Sequence, residues 1–145
     1  MSTRALIRFQ MDGKTFFTIY KQSDGYITGL GSDIKRILNR GDVKITEGID
    51  GYPPAFFDGV EDMAAYFIGK LKGNNAGEVY VWPTSSKIPS MVEYVYTIKS
   101  KGELVWLKID YITDAVKKLK TKIYSGLLKD FNPKQVDKAF DEAFQ

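Results

Sequence analysis

Two stretches of this chain carry residue types that could do chemistry. One is the N-terminus, Met1-Ser2-Thr3-Arg4. If Met1 is removed, Ser2 can act as a nucleophile with its own α-amino group as the base, and Thr3 and Arg4 would orient the substrate. The other stretch is Lys21-Gln22-Ser23-Asp24-Gly25-Tyr26-Ile27-Thr28-Gly29-Leu30-Gly31-Ser32. Glycine-rich backbone brings N–H groups close to a ligand, and a helix start favours an anion. Arg4 and Lys21 would neutralise phosphate, and Gly29 and Gly31 would supply N–H groups. Asp24 would accept a ribose hydroxyl, and Tyr26 would stack on a base. The spacing is neither a P-loop nor a dinucleotide fingerprint, and the same glycines also suit tight turns.

Composition narrows these options. The chain has 145 residues and contains neither cysteine nor histidine. Disulfides, thiolate metal sites, Cys nucleophiles and Ser-His-Asp triads are thereby excluded. The Ser2 route is the natural hydrolase mechanism left. The net charge is +3, from 21 Lys+Arg against 18 Asp+Glu. Such a mixed surface falls short of a nucleic-acid-binding profile. The basic run Lys117, Lys118, Lys120 and Lys122 lacks interleaved aromatics and reads as a solvated face. Asp58, Glu61 and Asp62 could hold Mg²⁺ or complement a helix N-terminus; no metal and no cofactor is expected. Tyr94, Tyr96 and Trp106 could form a stacking platform or cross-strand core pairs. No apolar run is long enough to span a membrane, and Arg8 interrupts the first one, so a cytoplasmic location is expected.

The elements that position these residues read as one α+β domain over residues 1–145. Ala5 to Met11 alternates, Asp12-Gly13 is a tight-turn signal, and Thr15 to Tyr20 is β-branched and aromatic, which predicts a hairpin. Ser32 is expected to cap a helix over Asp33–Asn39 that Gly41 ends. Val43 to Thr46 could be a short strand, and Tyr52-Pro53-Pro54 breaks any element. Gly59 to Lys72 has helical spacing. Glu78 to Trp82, Met91 to Lys99 and Glu103 to Asp110 read as strands, with Val92, Tyr94, Tyr96 and Ile98 on one face. Thr113 to Ser125 fits either helix or strand. Asn132-Pro133 opens the last helix. The expected fold is a mostly antiparallel sheet of about five to seven strands with three helices packed on it.

The opening Ser2-Thr3-Arg4-Ala5-Leu6-Ile7, the Asp12-Gly13-Lys14 turn and the Tyr20–Gly31 segment resemble a family of small phage and prophage proteins. Its members begin Met-Ser/Gly-Thr-Arg and carry Asp-Gly-Tyr-Pro-x-Gly-x-Gly after the first hairpin. Ile27 stands where that family has proline. The resemblance implies a phage or mobile-element setting. It singles out Thr3, Arg4, Asp24, Tyr26, Gly29 and Gly31, and it implies no catalytic residue. Together the residues and the resemblance lead to an expectation: a non-enzymatic accessory or counter-defence protein that binds an anionic, nucleotide-like ligand in host cytoplasm. Its binding residues would be Arg4, Lys21, Asp24, Tyr26, Gly29 and Gly31. The alternatives are the Ser2 hydrolase and an inhibitor that binds a host protein. A homo-oligomer is compatible with each.

Overall fold

The structure, a computed structural model, describes residues 2–39, 43–44, 57–85, 87–114 and 119–144. Strands β1 (Arg4–Met11) and β2 (Lys14–Lys21) form the expected hairpin. Its turn residues Asp12 and Gly13 have φ of 53° and 76°, the left-handed pair that a type I′ turn requires. Beyond β2, a π-helical turn, Ile27–Gly31, runs directly into helix α1 (Ser32–Leu38). Ser32 is therefore already helical, with φ −65° and ψ −39°, and no side chain caps the helix. The capping role expected of Ser32 is corrected by the turn that precedes it.

Short strands β3 (Val43–Lys44) and β4 (Phe57–Asp58) pair in parallel beside helix α2 (Gly59–Lys72). Helix α2 buries Val60, Met63, Ala64 and Phe67, the face its spacing predicts. The expectations at Gly41, Thr46 and Tyr52-Pro53-Pro54 lie outside the described residues. Strands β5 (Val79–Trp82), β6 (Val92–Lys101), β7 (Leu104–Asp114) and β8 (Leu119–Leu127) follow. The ambiguous Thr113–Ser125 stretch thus ends in a strand, while Ala115, Val116, Lys117 and Lys118 lie outside the described residues. A single 3₁₀ turn, Leu128–Asp130, leads to helix α3 (Pro133–Phe144). Asn132 caps α3 as expected, its Oδ1 accepting the Gln135 N–H at 3.2 Å.

The main sheet has six strands in the order β5-β2-β1-β6-β7-β8. Neighbours are antiparallel except β1 and β6, which are parallel. Among the described residues this is an α+β fold with a mostly antiparallel sheet and three α-helices. The parallel pair has a topological consequence. The chain leaves the edge strand β5, crosses the sheet, and re-enters at β6 in the middle.

Successive strand residues point to opposite faces, so the sheet has two different sides. Ala5, Ile7, Phe9, Ile19, Tyr96 and Ile98 belong to the large core that also contains the buried residues of α1 and α2. Leu6, Val92, Val95 and Ile112 form a smaller cluster, with Tyr20, Trp82 and Ile88 packed against it. Val92 was expected to share a face with Tyr94 and Tyr96. A register shift places Arg4 opposite Val92 but Ala5 opposite Tyr94, which turns Val92 to the other side. Among the described residues, no helix is long and apolar enough to cross a membrane.

Candidate functional site

The glycine segment is positioned by hydrogen bonds to its own backbone and to the edge of the sheet. The Gly25 N–H donates to the Thr3 carbonyl at 2.9 Å, and the Tyr96 hydroxyl donates to the Gly25 carbonyl at 2.7 Å. The Leu30 N–H donates to Asp24 at 2.9 Å, and the Gly29 N–H donates to Tyr26 at 3.0 Å. The Gly31 N–H reaches the Tyr26 carbonyl at 3.5 Å, and Ser32 donates to Gly29. These N–H groups close the π turn from within. Close approach also explains the glycines: a Cβ at Gly29 would sit 2.5 Å from the Asp24 carbonyl oxygen, and one at Gly25 would sit 2.7 Å from the Ala5 Cβ.

The charged residues of this rim are separated. Lys21 pairs with Ala5 and shares its face of the sheet, whereas Arg4 pairs with Val92 on the other. The Lys21 ammonium is committed: it donates to the Ser23 carbonyl at 2.9 Å and lies 3.8 Å from the Glu78 carboxylate. The Ser23 hydroxyl donates to the same carboxylate. Asp24 is exposed, with φ of 56°, and Tyr26 is 41% exposed. Among the described residues, Arg4, Asp24 and Tyr26 therefore keep side chains free for a ligand, while Lys21 and the N–H groups of Gly29 and Gly31 are engaged. Ser2 is exposed and Thr3 half-buried; Met1 lies outside the described residues.

A second polar cluster lies on the side of the sheet away from the large core. There β1, β6, β7 and β8 line a depression of about 220 Å³. Among the described residues its cations are Arg8, Lys99, Lys108 and Lys120, and its one acidic lining residue is Asp110. Pairing register places them in rows. Arg8 stands opposite Thr97, and Thr97 opposite Lys108. The neighbouring row pairs Lys99 with Trp106. Ile88, Val95 and Ile112 supply the apolar wall where the crossing segment covers the rest of this face.

The electrostatics of this depression are uneven. Asp110 is buried, and its carboxylate lies 3.7 Å from the Lys108 ammonium. Burial lowers the pKa of Arg8 from its ordinary value, and the nearby Asp110 carboxylate opposes that effect. The Arg8 guanidinium donates to the Ser85 carbonyl at 3.3 Å, a contact with the crossing segment. Lys101 and Lys99 sit 4.6 and 5.9 Å from the Trp106 ring centroid, attracted by its negative face. Among the described residues, none of Lys99, Lys101 and Lys120 is paired with a carboxylate. The arrangement can therefore attract an anion that carries an aromatic ring.

The other sequence candidates are divided by the sheet. Tyr94 and Tyr96 point into the helix-covered core, with ring centroids 6.3 Å apart, while Trp106 lines the opposite face. They do not form one platform, because the strand alternation of β6 and its pairing with β7 set them on different sides. The Asp62 carboxylate accepts the Asp58 N–H at 2.9 Å at the start of α2. Among the described residues, no three Asp, Glu, His or Cys side chains come together in a way that could hold a metal.

Arg8, Lys99, Lys108 and Asp110 do not stand out in the sequence as one site. The signal was present as period-two alternation within each strand. What was missing was the parallel pairing of β1 with β6, which makes three polar strand faces into one surface.

No family model, curated protein or solved structure matches the chain. Fold and site define a class instead: an α+β protein whose sheet, among the described residues, is closed by helices on one side and partly open and basic on the other.

Proposed function

We propose that this protein binds a small anionic, nucleotide-like ligand without transforming it, and that the ligand sits on the open face of the sheet. The observation that carries this reading is the row Arg8–Thr97–Lys108 beside the Lys99–Trp106 pair. The row offers two cations and a hydroxyl to a phosphate, and the ring offers a surface for a base. Asp110 holds Lys108 in place and sets the polarity of the depression. A non-enzymatic role suits a chain without histidine or cysteine. The likeness to phage and prophage proteins gives such binding a setting, sequestration of a host nucleotide by an accessory or counter-defence protein.

Calorimetric titration with adenosine and thymidine monophosphates tests this reading. Arg8→Ala and Lys108→Ala are each expected to weaken binding roughly 10- to 100-fold, the range of one lost charge-assisted hydrogen bond. The affinity should fall as salt is raised. Arg4→Ala and Asp24→Ala are the contrast. If they abolish binding while Arg8→Ala and Lys108→Ala do not, the ligand belongs on the glycine rim and the open-face assignment is wrong.

A further inference from the structure

The basic surface extends past the depression. Strand rise places Lys101 about 13 Å along β6 from the Thr97 row. Two strand spacings place Arg8 and Lys108 about 10 Å apart across that row. Lys101 lies over Trp106 yet does not line the depression. Lys120, from β8, extends the patch to the edge of the sheet. The single phosphate of a mononucleotide cannot meet cations at both ends of this surface. Trp106 is surrounded by lysines, so cations and an aromatic ring are interleaved across strands even though they are not interleaved along the chain.

Resting on the open-face binding reading above, we infer that the ligand is a single-stranded nucleic acid, laid across β1, β6 and β7 with successive phosphates on Arg8, Lys108, Lys99 and Lys101 and one base against Trp106. A cationic groove with a stacking ring binds single strands with little sequence preference, because every base presents a π face. The 220 Å³ depression then holds one nucleotide of the strand, and the flanking nucleotides lie on the exposed lysines. A duplex would offer the same phosphates but no free base face to the ring.

The test is fluorescence anisotropy with a labelled thymidine oligonucleotide of about ten residues, within the usual site sizes for such surfaces. Thymidine monophosphate and a duplex of equal length are the competitors. The strand is expected to bind at least about tenfold tighter than the mononucleotide, because it reaches additional cations. Its affinity should fall with salt at a logarithmic slope steeper than about −2, since each phosphate on a single strand contributes about −0.7. The exposed Lys101→Ala variant should weaken the strand several-fold more than it weakens the mononucleotide. A strand bound no tighter than the mononucleotide overturns this inference but leaves the small-ligand reading standing. A duplex bound as well as the strand also overturns it. Failure of both the strand and the mononucleotide to bind removes the open-face reading as well.

Discussion

The Tyr96 hydroxyl, fully buried in the middle of the sheet, donates to the carbonyl of Gly25 at 2.7 Å. This one bond ties the glycine segment to a central strand 71 positions away in the chain. Burial raises the pKa of Tyr96 well above its ordinary value, which keeps the hydroxyl protonated and able to donate. The segment is therefore rigid for a structural reason: its start is pinned to β1 and β6, and its N–H groups close the π turn.

Gly25 should be intolerant of any side chain. Its Cβ would lie 2.7 Å from the Ala5 Cβ and 3.0 Å from the Thr3 carbonyl oxygen. Gly25→Ala is expected to cost about 1–3 kcal/mol, the range for forcing atoms into a packed site. A lower urea midpoint at unchanged slope would bear this out. An unchanged midpoint would mean that the segment yields more easily than its bonds suggest.

Thr18 offers the opposite case. It is 2% exposed, and its hydroxyl is the buried side-chain polar atom that lacks a hydrogen-bond partner among the described residues. Val has nearly the same shape and carries no such group. Thr18→Val should therefore stabilise the fold by about 1 kcal/mol, since it removes an unmet desolvation cost. Thermal unfolding of the two proteins side by side reads the sign directly, and a lower midpoint in the variant would refute the account.

The tyrosines beneath α3 predict a loss of stability at alkaline pH. Burial, then the neighbouring Tyr111, raises Tyr94 from 10.0 to about 12. The folded state holds this proton more tightly than the unfolded chain does. Its contribution to stability is thus complete below pH 10 and is lost as pH rises towards about 12. Tyrosinate absorbance should show a late-titrating group, and urea midpoints should fall across that window. In Tyr94→Phe the late-titrating absorbance should shrink by one tyrosine, with the buried Tyr96 still titrating late, and the fall should be shallower. A wild-type titration complete near pH 10 would contradict this.

Much of the fold was legible in the sequence because its signals are local. Asp12-Gly13 demands left-handed backbone, Val60 to Phe67 repeats at helical spacing, and Asn132-Pro133 starts a helix on chemistry contained within a few residues. Ser32 reads as an N-cap in the sequence because an N-cap and an already helical residue look alike there. Only the preceding π turn decides between them.

The candidate sites were less legible, because they depend on pairing between distant strands. The sequence determined which residues alternate along β1, β6 and β7, and so which belong together within each strand. It did not determine that β1 would lie parallel to β6, a pairing made by a crossing connection between edge and centre. That choice rests on the burial of two cores at once, a property of the whole chain. It brought Arg8, Thr97 and Lys108 into one row, while the register shift between Phe9 and Gln10 in the first hairpin paired Lys21 with Ala5 and so set Arg4 and Lys21 on opposite faces of the sheet. The glycines showed in the sequence that the backbone would approach something closely. The tertiary structure decided that the near neighbours were Thr3, Ala5 and Tyr26, because those were the groups the folded sheet placed within reach.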